Sequence, residues 1–312
     1  MTIIAVSGAT GFLGRHVSRE LLARGHEVRA ISQSLLGSGD LAAALAGATT
    51  VIHLAARVHV VRENYVNPRR EFWKSNVAVT QALAVAAQRA CVKRFIFVSS
   101  AGVLGATSPP EGFAEDAVPH PHDAYTASKL QAEQWLNSEL GASVGLVILR
   151  PPLIYGAGAP GNFARLLRLA VKGWPLPLGA LRAPRSIVAV RNIVKLISAL
   201  AADGSPVHAT MLVADRETIS VAELFQTVAR HAGHRLWLAP VPPALIRSVL
   251  AVAGRGDDVF RLTGPFVLRP RIAQRQFNWV PPYSQQGELR QTVACELAAM
   301  QVQADRRDGD DR

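Results

Sequence analysis

The chain has 312 residues, 49% hydrophobic and 18% charged, enough for one large core or two moderate ones. Its 34 Lys and Arg against 23 acids leave a net charge of +11, which suits an anionic small molecule. The basic residues are spread out, no zinc-finger spacing or basic helix occurs, and no window approaches about eighteen uninterrupted apolar residues. Nucleic acid and a membrane span are therefore both set aside.

The start, "MTIIAVSGATG", lacks a charged leader and a small-residue cleavage site and reads as a first strand. Continuous apolar runs follow: "HEVRAIS", "TTVIHLAA", "RFIFVSS" and "GLVILRP", the composition of strands covered on both faces. Between them lie helix-period segments, "RHVSRELLARG" closed by Gly25, "NVAVTQALAVAAQRA" and "AYTASKLQAEQWLNSEL". Strand–helix alternation predicts an α/β fold, a Rossmann-type doubly wound parallel sheet.

After Pro151 the chain becomes rich in Gly and Pro, as in "GWPLPLGALRAPRS" and "APVPPALI". Two later strands, "RSIVAV" and "ATMLVAD", are expected to return to the main sheet. The dinucleotide domain is then residues 1–154 plus about 185–215. A smaller, interleaved C-terminal substrate domain takes 155–184 and 216–300. The tail 301–312 has mixed charge, no apolar position after Ala304, and reads as disordered. Cys91 and Cys295 have no partner spacing and read as ordinary thiols of a cytoplasmic protein.

"VSGATGFLGRHV" places Gly8, Gly11 and Gly14 between a strand and a helix opened by Phe12 and Leu13. This is the setting for a tight turn, close backbone approach to a pyrophosphate, and a helix N-terminus that favours anions. The end of the second strand distinguishes NAD from NADP. An acid there would hold the adenosine ribose hydroxyls, whereas this chain reads Ile31, Ser32, Gln33, Ser34, which leans towards NADP. Asp40, next to Leu41, is the following acid, and it suits a helix N-cap as well as an adenine contact.

"DAYTASKLQ" puts Tyr125 and Lys129 at i and i+4 on one helix face. A phenol with a pKa of about 10 is a poor acid–base group at neutral pH; a lysine ammonium one turn away stabilises the phenolate. Ser100 ends the fourth strand, where ligands of open α/β sheets bind. His120 and His122 read as a polar loop, His53 as a hydrogen-bonded core residue, and no metal site is expected.

The glycine loop, "SS" after the fourth strand, YxxxK and "LRPPLIYG" together resemble the extended short-chain dehydrogenase/reductase family, in particular its nucleotide-sugar epimerases and reductases of the UDP-glucose 4-epimerase type. The match runs from Thr2 to about "FNWVPPYS". The resemblance implies Tyr125 as proton shuttle, Lys129 as ribose ligand and tuner of Tyr125, and Ser100 as hydrogen-bond partner of the reacting sugar oxygen. It adds Leu54, Ala55, Ala56, Ser99 and Pro151 to the cofactor contacts. Asn76 matches the family's structural Asn and would also serve as the N-cap of its helix. Asn162 and Arg185 match diphosphate positions, with Arg261 as a second phosphate candidate. A homodimer through the helices carrying Asn76 and Tyr125 is also implied.

There are departures. Leu153 and Leu104 stand where many members have Asn and Tyr, which implies an altered sugar pocket, and Arg191 stands where an acid is usual. Dehydratases and decarboxylases of the family carry an acid just after the active-site hydroxyl, and C3/C5-epimerising reductases a Cys. Here Ala101 and Gly102 follow. The expected activity is thus NAD(P)-dependent redox chemistry at C4 of a UDP-sugar, by a 4-epimerase or a 4-keto-6-deoxysugar reductase for bacterial surface polysaccharide. A reductase of steroid- or flavonoid-type carbonyls and a non-catalytic dinucleotide-binding protein are the alternatives.

Overall fold

A computed structural model describes residues 2–38, 41–57, 68–160, 173–202, 207–252 and 263–310, with 163, 167, 169 and 170 between them. Six strands form one parallel sheet: β1 (Ile3–Ser7), β2 (Glu27–Ile31), β3 (Ala48–His53), β4 (Arg94–Val98), β5 (Gly145–Arg150) and β8 (Ala209–Leu212). Their order is β2-β1-β3-β4-β5-β8. The chain leaves β1 to one side and returns to β3 on the other. The crevice between the C-terminal ends of these two strands is the switch point at which such sheets bind ligands.

Period-two alternation divides the strand residues between two cores. Ile4, Val6, Ile96, Val98, Val147 and Leu149 meet α1 (Phe12–Ala23) and the helix Val190–Ala202 through Val17, Leu21, Ile193, Leu196 and Leu200. Ala5, Phe95, Phe97, Leu146 and Ile148 meet α5 (Val79–Arg89) and α6 (Ala124–Glu139) through Leu83, Ala87, Ala132 and Leu136. Both faces are covered, which is why β4 from Phe95 to Val98 and β5 from Leu146 to Leu149 are continuous apolar runs in wholly buried strands. Each fully buried Leu, Ile, Val or Phe contributes about 1.5–3 kcal/mol, so the two layers dominate stability.

"RSIVAV" does not return to this sheet. It forms β7 (Arg185–Ala189), paired with β6 (Leu153–Tyr155) in parallel and with β9 (Thr218–Ile219) in antiparallel fashion, in a separate three-stranded sheet. The free edge of β5 is taken by β8, from Val147↔Ala209 to Arg150↔Leu212. The turn at Pro151 carries β6 out of the main sheet to serve as the partner of β7. A third cluster, including Tyr155, Phe163, Ile187, Phe225, Val228 and Leu289, packs beneath this small sheet.

Two further expectations differ. Asn76 is no N-cap: helical backbone begins at Pro68, and Asn76 sits in a π turn, Trp73–Ala78, that runs directly into α5. The widened turn aims its amide at Arg57 and Ser128 instead of at its own backbone. The C-terminal helix, Gln285–Asp310, continues through residues read as a disordered tail. The longest helices contain no span long and apolar enough to cross a membrane among the described residues.

Candidate active site

The loop after β1 closes tightly on itself. Gly11 N–H donates to the Gly8 carbonyl, and Gly8 has φ +72°. A Cβ on Gly8 would meet the Ala55 nitrogen at 2.7 Å, and one on Gly14 would meet the Gly8 oxygen at 2.0 Å, so both positions exclude any side chain. Gly11 is the N-cap of α1, and among the described residues no side chain caps that helix end. Its free N–H groups and dipole make the crevice a cradle for a pyrophosphate, and the residues present fit a dinucleotide. Leu54 and Ala55, directly after β3, form the opposite wall, with Ala55 N–H held by Ser7 Oγ at 3.3 Å.

Beyond β4, Ser100 caps a short 3-10 turn, Ala101–Leu104, and its Oγ accepts from Gly102 N–H at 3.1 Å. The same hydroxyl hydrogen-bonds the phenol of Tyr125. Tyr125 is the second residue of α6, whose start is set by a capping box between Asp123 and Thr126. One turn on, Lys129 is 1% exposed with Nζ 4.2 Å from the Phe97 ring centroid. Burial raises Tyr125 to about 12, the Ser100 hydrogen bond working against it, and lowers Lys129 to about 7, a nearby Glu133 working against that. The three groups expected to act together are thus placed together.

Behind Ser100 the space is closed. Ala101 is fully buried, and its N–H donates to the Pro151 carbonyl at 2.8 Å. A Cβ on Gly102 would lie 2.8 Å from Thr126 Cγ2 and 3.3 Å from Ser100 Oγ. An acid or thiol side chain at this position would collide with the turn that presents Tyr125. Leu104 fills an apolar cluster with Phe113, Phe266 and Leu268, whereas Leu153 is largely exposed.

The remaining sequence candidates fall in several places. Ser99 is buried with an Oγ that finds no partner among the described residues, a polar atom suited to a ligand in the crevice. Phe12 and Leu13 pack under the loop, Ala56 lies two residues past Leu54, and Ser32 uses its hydroxyl to accept from Leu35 N–H at 3.2 Å. Leu41 is buried in the apolar core with Leu36 and Leu45. Arg185 opens β7, donating from Nη1 to the Gly264 carbonyl at 2.6 Å with its guanidinium 5.6 Å from the Phe266 ring. Burial lowers it to about 10, so it stays charged at neutral pH. Phe266 shares its cluster with Leu104, which brings Arg185 to the Ser100 side of the molecule. Asp40, Asn162 and Arg261 lie outside the described residues.

Two polar networks join residues that lie far apart in sequence. Thr80 Oγ1 donates to the Asn76 carbonyl at 2.5 Å, so His53 Nε2–H donates to Thr80 at 2.9 Å and Nδ1 accepts from Ser7 Oγ at 2.5 Å. His53 is therefore neutral; burial, and then the charge of Lys129, lower it to about 3. The Asn76 amide donates to Ser128 Oγ at 2.9 Å, and Ser128 donates to the Tyr125 carbonyl at 2.7 Å, linking the glycine loop to the Tyr125 turn. The second network is a buried ion pair, Arg150 with Glu133, whose contacts run from 2.6 to 3.1 Å. "YTASKLQAE" carries a faint signal for it, since Glu133 continues the i, i+4 row of Tyr125 and Lys129.

Comparison with known proteins places this geometry among relatives. A sequence model of the NAD dependent epimerase/dehydratase family matches residues 4–213. The UDP-glucose 4-epimerase of Vibrio cholerae is 32% identical over 314 residues, covering 95% of this chain and 96% of that protein. In fold, the chain is similar to MoeE5 in complex with UDP-glucose and NAD, with a TM-score of 0.77, 24% identity and coverage of 95% and 99%. The human epimerase family protein SDR39U1 with NADPH also gives a TM-score of 0.77, at 21% identity and coverage of 94% and 99%.

Proposed function

Because the chain belongs to the NAD dependent epimerase/dehydratase family, we propose that it carries out redox chemistry at C4 of a UDP-sugar, as a 4-epimerase or a 4-keto-6-deoxysugar reductase for bacterial surface polysaccharide. The observation that carries this reading is the Tyr125 phenol hydrogen-bonded to Ser100, with Lys129 one turn along the same helix. A nicotinamide bound in the crevice supplies hydride acceptance and donation. The chain's own residues then have one proton to move. Tyr125 takes or returns it at the sugar oxygen, Ser100 orients that oxygen, and a charged Lys129 holds the phenolate in a usable range. The collision at Gly102 and the buried Ala101 favour C4 over C5 chemistry, which needs a further acid, base or thiol. Arg185 keeps guanidinium donors beyond the one spent on Gly264 for a diphosphate.

At the adenosine end, Ser32 carries no charge to repel a 2′-phosphate, which favours NADP. Ser32→Asp should move the preference towards NAD by roughly tenfold, about 1.4 kcal/mol, read as the ratio of the two dissociation constants. In this reading the protein is a cytoplasmic homodimer.

The reaction is tested by incubating the enzyme with cofactor and UDP-sugars in D₂O and following the products by NMR. Change confined to C4 is expected. Solvent deuterium at C5, or loss of the 6-hydroxyl, would reject the reading. Equimolar NADPH consumption with a 4-keto sugar selects the reductase; interconversion without net consumption selects the epimerase.

A further inference from the structure

Lys129 presents a problem that its own surroundings solve. It is one of five lysines, with Lys74, Lys93, Lys172 and Lys195, among 34 basic side chains, so most of the chain's positive charge is carried by arginine. At 1% exposure its ammonium has lost its water, and groups from three elements bear on it. From α6 come Tyr125 and Glu133, from β3 the neutral His53, and from β4 the Phe97 ring. Glu133 supplies the carboxylate that opposes desolvation, yet it does not form an ion pair with the lysine. Both its oxygens are occupied by Arg150 at the end of β5, with Nε at 3.1 Å from each and Nη2 at 2.6 Å from Oε2.

The geometry has a direction. Tyr125, Lys129 and Glu133 follow one another at four-residue steps along α6, and Arg150 closes the far end of the row. Carboxylate and guanidinium are 2% and 8% exposed, so their charges act through protein and not through water. Glu133 is the member of the pair that shares α6 with Lys129, one turn along the helix, and Arg150 stands on β5.

We propose that Glu133, held by Arg150, is a positioning residue that keeps Lys129 an ammonium free to turn towards Tyr125 and the cofactor ribose, and that this pair sets the pH range in which the proton shuttle works. The inference rests on the assignment of Tyr125 and Lys129 to that shuttle. Arg150 occupies both Glu133 oxygens and so prevents the carboxylate from drawing Lys129 into a closed ion pair.

The test reads Lys129 itself, so it stays separate from catalysis. With isotope-labelled lysine the chain gives five side-chain NMR signals, and Lys129→Met identifies the one that matters. Wild-type Lys129 is expected to titrate near 7. In Glu133→Gln/Arg150→Met, which leaves no buried charge unpaired, its titration should move down by about one pH unit or more. NADP⁺ affinity measured by calorimetry should then fall at a correspondingly lower pH. In Arg150→Met alone the freed carboxylate takes Lys129 as its partner. The titration moves up, while turnover falls at every pH. Opposite shifts in the two variants support the proposal. An unchanged titration in the double variant, or shifts of the same sign in both, would overturn it. Loss of turnover in Tyr125→Phe with these shifts intact would confirm the shuttle separately; retained turnover there would reject the shuttle and leave the electrostatic result standing.

Discussion

The two sheets of this molecule carry their parts of the site in different ways. Around the large sheet, function sits on short local spacings: three glycines in one loop, and Tyr125, Lys129 and Glu133 on one helix face. Around the small sheet, Arg185 is held by contacts far apart in sequence. It reaches the Gly264 carbonyl, its neighbour Ser186 donates to the Phe266 carbonyl, and Phe113 N–H donates to Val267 O. The first region has its chemistry built into rigid secondary structure; in the second it is assembled by loops crossing one another. In the proposed reading the large-sheet region holds cofactor and proton shuttle, and the loop-built region selects the substrate.

Changes in the rigid half should stop the reaction, and changes in the loop-built half should weaken binding. The largest effect is expected from Tyr125→Phe, which removes the proposed acid–base group and should lower turnover by about 10² or more with dinucleotide affinity nearly intact. Steady-state kinetics beside calorimetry checks both parts. Next comes Arg185→Ala. It should weaken UDP as much as the UDP-sugar, by about 1.5–3 kcal/mol if a charged hydrogen bond to the diphosphate is lost. Unchanged UDP affinity would remove Arg185 from the site.

A third effect is one of stability and is read from pH, not from turnover. His53 is neutral in the folded chain down to about pH 3, whereas in the unfolded chain it takes up a proton near 6.5. The unfolded state therefore binds more protons between these values, and stability falls as pH drops through that window. His53 contributes a slope of about 1.4 kcal/mol per pH unit. Urea unfolding of the apoprotein at several pH values should show this slope, and His53→Gln should flatten it.

The contrast also explains what could be read from the sequence. Strand composition and helix period placed β1 to β5, β8 and α6, and the glycine loop and YxxxK needed only near neighbours. "RSIVAV" misled because a buried apolar strand looks the same in either sheet. Its place was decided by β8 winning the edge of β5 and by β6 offering a partner. The π turn at Asn76 exists for contacts with Arg57 and Ser128, which are distant in sequence, so a capping pattern was the only local signal. Arg150 looked like part of a strand, and its union with Glu133 depends on α6 crossing β5 at one register.

The central claim is that hydride passes between C4 of a UDP-sugar and the nicotinamide beside Tyr125. Its most direct test is a UDP-sugar carrying deuterium at C4, turned over with one equivalent of enzyme and cofactor. The account predicts a primary isotope effect and deuterium recovered on the nicotinamide or, after return, on the opposite face of C4. Label that stays in place through turnover, with no isotope effect, would contradict it.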